Sequence, residues 1–161
     1  MSGSSASHEL DAPPWLRVES TLISAARDIR AAYDLDLAPL DLTLNSASTL
    51  AYVAEHGPLT QTDLAERLGL GRAATGTHVD RLEARKLLVR QADAEDRRVW
   101  LVAATESGRN LHAQIQAIDA ELRAQLRAGI DRRERQMLAD VLVRLRKNLQ
   151  ARSAEALHPQ P

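Results

Sequence analysis

The stretch that most constrains this 161-residue chain lies in its middle, where glycines, prolines and hydroxyl residues punctuate two helical segments and a pair of branched runs. Gly57-Pro58 closes one apolar segment, and Thr60-Gln61-Thr62-Asp63 opens the next as an N-cap hydroxyl followed by an acid in the first turn. Leu64, Ala65 and Leu68 give that segment an apolar face of only about two turns before the Gly69-Leu70-Gly71 corner. The spacing then predicts a longer helix over 72–86, with Val79 and Leu82 inward. Leu87 to Gln91 and Arg98 to Ala103 are branched apolar runs on either side of polar Ala92 to Arg97, which predicts a two-stranded hairpin with a charged tip. Short helix, glycine turn, longer helix and hairpin form a helix-turn-helix followed by a wing.

The flanks read as helices. Pro13-Pro14 offers a start for one carrying Leu22, Ile23, Ala26, Ile29 and Tyr33, followed by a connector over 34–41 broken by Pro39. Thr43 caps a second, through Leu44, Ala47, Leu50, Ala51 and Ala54, that should end near His56. Beyond the hairpin, Thr105 caps a long helix with Leu111, Ile115, Ile118, Leu122 and Leu126 in register, broken near Gly129, and a last helix carries Leu138, Val141, Leu142, Leu145 and Leu149. With no Phe and only Trp15, Tyr33, Tyr52 and Trp100 as aromatics, the core must be built from Leu, Ala, Val and Ile. The expected fold class is mainly α with a small β-hairpin wing: a winged helix-turn-helix domain plus a flanking helical region. Its expected parts are a disordered tail over 1–12, an N-terminal helix and connector over 13–42, the winged helix-turn-helix domain over 43–104, two C-terminal helices over 105–152, and a disordered tail over 153–161.

Several classes are set aside by composition. The chain has no Cys, which removes disulfides and thiol chemistry, and no apolar run approaches the ~18 residues of a membrane span. The first dozen residues do not read as a signal peptide, so the expected compartment is the cytoplasm, with no membrane partner. Charge is nearly balanced overall but not locally. Residues 1–60 hold three Arg against eight acids, residues 60–100 eight basic against seven acidic, and residues 123–152 nine basic against three acidic. A DNA-facing surface must therefore come from the middle and late parts of the chain. Arg132, Arg133 and Arg135 open the last helix, where the dipole disfavours cations, and an acidic partner surface would account for them.

A major groove about 12 Å wide admits one helix, and a hairpin beside it reaches phosphates or the minor groove. With Val79 and Leu82 inward, Arg72, Thr77 and Arg81 point outward. Leu64-Ala65-Glu66-Arg67-Leu68-Gly69-Leu70, Val79-Asp80-Arg81-Leu82-Glu83, Asp93-Ala94-Glu95-Asp96-Arg97-Arg98 and Thr105-Glu106-Ser107-Gly108 occur in order, and together they resemble MarR-type winged-helix transcriptional regulators. The resemblance implies a homodimer on the double-stranded DNA of a palindromic operator, with 43–104 as the DNA-binding domain and 13–42 and 105–152 as the helical dimerisation region, a repressor role and release by a small aromatic or phenolic effector. The implied DNA-facing set is Thr60, Gln61, Arg72, Ala73, Thr75, Gly76, Thr77 and Arg81 from the helix pair, with Arg97 and Arg98 from the wing. It also implies that Asp96 braces the wing while one arginine enters the minor groove. Which of Arg97 and Arg98 does so stays open, strand alternation placing them on opposite faces. The recognition helix departs from the family pattern at Gly76, which costs about 1 kcal/mol relative to Ala and takes a side chain off the DNA face.

The effector pocket implied by the family would draw on Trp15, Arg17, Tyr33, Tyr52 and His56, an arginine for a carboxylate and rings for a planar ligand. His78 falls on the inward stripe of its helix and reads as a core-edge histidine, with a pH or ligand sensor as the alternative reading. His8, His56, His112 and His158 are scattered without clustered acids, so no metal or other cofactor is expected. An enzyme is not expected either: there is no nucleophile elbow, phosphate loop or catalytic carboxylate cluster. The alternative is a ligand-independent winged-helix module for general DNA binding or protein interaction.

Overall fold

The computed structural model describes residues 13–157; the expected tail over 1–12 and residues 158–161 lie outside them. The chain divides into two compact units, Met1–Leu122 and Arg123–Pro161.

In the first unit a single 3-10 turn, Pro14–Leu16, leads into α1 (Val18–Leu37). The helix runs through the first half of the expected connector because Leu37 is buried and anchors its end, and only Ala38–Leu40, a 3-10 turn containing Pro39, breaks it. Asp41 follows at φ 52. The carboxylate of Asp34 accepts the N–H of Leu44 at 2.7 Å, so the end of α1 satisfies an orphan amide at the start of α2 (Leu44–His56). Thr43 and Ser46 complete that start as a capping box, and Gly57 closes α2 at φ 81, a conformation open to glycine.

Helix α3 (Gln61–Leu68) ends at Gly69 in the left-handed region, φ 64, and Gly71 opens α4 (Arg72–Ala84). The wing is a three-stranded antiparallel sheet, not the two-stranded hairpin of the sequence pattern: β1 (Leu59–Thr60), β2 (Leu88–Ala92) and β3 (Trp100–Ala104) lie in the order β1-β3-β2. The added strand pairs Leu59 with Val102 and Thr60 with Leu101, and at two residues it is too short to show any alternation. The core is aliphatic as expected, with Leu37, Leu50, Val53, Leu64, Val79, Leu82, Leu88, Val102 and Ile115 in one buried cluster.

Helix α5 (Glu106–Leu126) docks on this core through a backbone contact. The hydroxyl of Thr105 donates to the carbonyl of Lys86 at 2.7 Å and accepts the N–H of Gly108 at 3.0 Å, and the Thr105 N–H donates to the carbonyl of Leu87 at 3.1 Å. A Cβ built on Gly108 would lie 2.1 Å from that same carbonyl oxygen, so only glycine admits the helix this close.

The second unit contains α6 (Arg132–Leu157). Asp131 and Glu134 exchange side-chain to backbone hydrogen bonds at 2.8 Å, a reciprocal cap that puts two acids among the arginines of the first turn. Arg135 donates to the carbonyl of Ile130 at 2.6 Å, so it serves its own helix start. The helix continues past 152, into the expected tail, because residues 153–157 are mostly strong helix formers and the next breaker is Pro159.

Candidate nucleic-acid interface

Helix α4 buries Thr75, Val79 and Leu82 and leaves Arg72, Ala73, Thr77 and Arg81 exposed. Thr75, expected on the DNA face, is therefore a correction. It is 0% exposed and its hydroxyl donates to the Gly71 carbonyl at 3.1 Å. The period that buries Val79 also buries the residue one turn before it. Thr77 keeps its exposure while donating to the Ala73 carbonyl at 3.1 Å. Thr60 is occupied by capping α3: its hydroxyl accepts the Asp63 N–H at 3.1 Å and donates to the Asp63 carboxylate at 2.7 Å.

Gly76 has a use that the sequence does not reveal. A Cβ there would sit 3.0 Å from Nε2 of Gln61, so the glycine makes room for the Gln61 amide against α4. The carbonyl oxygen of that amide accepts from Nη2 of Arg90 at 3.1 Å, and the same Nη2 donates to Asp80 at 2.6 Å. Nη1 of Arg90 donates to Glu83, whose other oxygen accepts the Arg90 backbone N–H at 3.0 Å. One guanidinium thus joins α3, α4 and β2. Burial disfavours its charge, but the hydrogen bonds and charges of Asp80 and Glu83 together outweigh that and hold its pKa above the ordinary value. The sequence pattern does not join Arg90 to Asp80 and Glu83, because Arg90 falls inside an apolar run. The available signal was the acid pair three residues apart on a helix otherwise suited to a polyanion.

At the wing tip the strands end at Ala92 and resume at Trp100, so Arg97 and Arg98 lie in a turn and strand alternation does not sort them. Both are exposed. The Asp96 carboxylate accepts the Arg98 N–H at 3.0 Å. Asp93, not anticipated, contributes more, accepting the N–H groups of Glu95 at 2.7 Å and Asp96 at 3.0 Å. The bonds from Asp96 and then Glu95 hold the Asp93 carboxyl below the usual carboxylate range. The Asp93 N–H to Val99 carbonyl bond at 2.9 Å closes the tip.

The expected effector residues come together only in part. Tyr52 and His56 stack with ring centroids 4.1 Å apart and planes within 10°, and Nδ1 of His56 lies 3.1 Å from the Tyr52 carbonyl. Tyr33 and Tyr52 both pack against the core, and the Tyr33 hydroxyl donates to Asp119 on α5 at 2.8 Å. Trp15 is 73% exposed, so a single chain closes no cavity around it, and Arg17 is exposed at the start of α1. His78 is half-buried on α4, at the core edge. His112 contacts Glu55 at 3.1 Å, and no group of three potential metal-ligating residues occurs among the described residues. Nor is any helix among them long and apolar enough to cross a membrane.

A short helix and a longer one across a glycine corner, with a braced basic hairpin beside them, define a winged helix-turn-helix protein. Residues 40–99 match the model of the MarR family. Among solved structures, the transcriptional regulator PA3341 is 33% identical at a TM-score of 0.74, over 83% of this chain and 98% of that one. CouR from Rhodococcus jostii RHA1, bound to p-coumaroyl-CoA, is 28% identical at a TM-score of 0.68, over 89% and 94% of the two chains. The repressor CouR on a 23-mer DNA duplex is 26% identical at 0.72, over 80% and 91%. The chain belongs to the MarR family of transcriptional regulators.

Proposed function

We propose that the protein is a repressor that binds a pseudo-palindromic operator as a homodimer and is released by a small aromatic or phenolic ligand. The observation that carries the reading is the exposed row Arg72, Thr77 and Arg81 on α4 beside a wing tip carrying Arg97 and Arg98. In this reading α4 of each subunit enters one of two successive major grooves about 34–36 Å apart, with Arg72, Ala73, Thr77 and Arg81 toward the bases. Gln61 and Thr60 hold α3 against the backbone side, and an arginine of the wing enters the flanking minor groove, where negative potential is focused.

Residues 43–104 then form the DNA-binding domain, and residues 13–42 and 105–152 the dimerisation region. Val18, Ile23 and Ile29 on α1 and Met137, Leu138, Val143 and Leu149 on α6 are exposed in the single chain, which supports a second copy as their cover. The ligand reading rests on the Tyr52–His56 stack, on Tyr33 packed like Tyr52 against the core, and on the p-coumaroyl-CoA bound by CouR. A ligand relieving repression 100-fold must couple to DNA binding by about 2.7 kcal/mol. The compartment is the cytoplasm, where the operator is, and the chain performs no chemistry on the ligand.

Selection from random duplexes at ~150 mM salt, a concentration at which non-specific binding is weak, tests the reading. Enrichment of a two-fold symmetric sequence with half-sites about ten base pairs apart is the expected result. Retention of all sequences alike would replace the operator reading with general DNA binding.

A further inference from the structure

Trp100 is 59% exposed, and nothing in the expected DNA-facing set or the effector pocket uses it. It opens β3 two residues after Arg98, and its cross-strand partner is Ala92, whose methyl group offers it little cover. The register pairs Arg90 with Val102 and Leu88 with Ala104, so Leu88, Arg90, Ala92, Trp100 and Val102 share one face of the hairpin. That face is buried against the core at Leu88 and Val102, and is tied to α4 at Arg90 through Asp80 and Glu83. Trp100 stands farther out on the same face, on the side of the wing turned toward α4 and next to the two tip arginines. Val89, 41% exposed, belongs to the opposite face.

Building on the DNA-binding reading, we propose that Trp100 is a DNA-contacting residue that packs on the sugar-phosphate backbone between the groove read by α4 and the groove read by the wing. A reading helix and a wing that occupy neighbouring grooves must straddle one strand of the duplex, and the residue on the wing face toward the helix meets that strand. The indole suits it: the flat ring covers deoxyribose, the N–H donates to a phosphate oxygen, and flanking Arg97 and Arg98 supply the positive field. The contact adds affinity without base preference.

The experiment uses full-length protein and mixed-sequence duplexes of about 25 base pairs at ~50 mM salt, where backbone contacts dominate. Trp100→Ala weakens binding about tenfold, or about 1.4 kcal/mol, equally for mixed and selected sequences. Trp100→Phe retains most of the affinity and Val89→Ala all of it. The wild-type tryptophan emission changes on adding unlabelled duplex, and the change is lost in Trp100→Phe, a readout independent of how the alanine variant folds. If the wild type binds duplex while Trp100→Ala binds equally well, or the emission change persists in Trp100→Phe, the contact is absent and the DNA-binding reading stands without it. If the wild type binds no duplex under these conditions, both fall, and Trp100 belongs to a protein-facing surface.

Discussion

Gly108→Ala separates the structural account from one based on helix propensity. Within a helix, Gly to Ala is favourable by about 0.5–1 kcal/mol, so propensity alone makes the variant more stable. The structure gives the opposite sign. The new Cβ would lie 2.1 Å from the Leu87 carbonyl oxygen and 3.3 Å from a Leu50 methyl, and both neighbours are backbone or core, not a mobile tip. Relief requires α5 to back away by about 1 Å, which costs roughly 1–3 kcal/mol as overpacking. The same movement strains the Thr105 bonds to the Leu87 and Lys86 carbonyls, each worth about 1 kcal/mol net. After the propensity gain the expected loss is about 3 kcal/mol, a fall in Tm of about 6–12 °C for a chain of this size. Gly76→Ala is the internal control: its Cβ meets only the end of the Gln61 side chain at 3.0 Å, so its stability should stay within about 1 kcal/mol of wild type or rise. Thermal and urea unfolding by circular dichroism at one fixed protein concentration gives both values. A Gly108→Ala protein as stable as wild type would refute the packing argument.

Arg90→Met keeps the side-chain bulk but removes the clamp, leaving Asp80 and Glu83 unpaired; after allowance for their exposure it should cost about 1–2 kcal/mol, and fluorescence anisotropy should show weaker DNA binding than its stability loss explains. Asp93→Ala removes the acceptor for two amides at the wing tip and should sharpen the Glu95 and Asp96 amide signals toward loop values while the core signals stay. Because the folded Asp93 pKa lies below its unfolded value of about 3.9, the ordering is complete above that pH and is lost as pH falls through the folded value, which an NMR titration follows. Arg97→Ala and Arg98→Ala should each weaken DNA binding and reduce the salt slope by about 1, and the one that reads the minor groove should also lose A·T preference at the flanks.

The parts of this fold that sequence reveals are those written in local chemistry. The Thr43 and Thr60 caps, the left-handed Gly57 and Gly69, and the aliphatic stripe of α5 each declare themselves within a few residues. What stays hidden depends on partners far along the chain. Thr75 reads as a polar face residue until the helix phase set by Val79 and Leu82 is applied strictly, and then it must be buried. Arg90 reads as a strand residue because its partners Gln61, Asp80 and Glu83 are seven to twenty-nine positions away. Gly108 reads as an ordinary early-helix residue, since its reason is a carbonyl on Leu87. The tip arginines lie between the end of β2 at Ala92 and the start of β3 at Trp100, so no strand period reaches them.

The long-range contacts also bear on how the proposed release could work. Arg90 binds the wing to α4, and the Leu87 carbonyl binds the junction after α4 to the start of α5, with no side chain in between to absorb a displacement. The wing, the reading helix and the first turn of α5 therefore move together, as a packed interior transmits strain better than it deforms. Tyr33 joins α1 to α5 through Asp119, and Asp34 joins α1 to the start of α2. On the proposed reading, a ligand that engages Tyr33 or the Tyr52–His56 stack acts on elements that carry the reading head, and not on the head itself. On the proposed reading its effect is a change in the spacing of two intact heads on the operator, and release needs only that the two half-sites cease to be met at once.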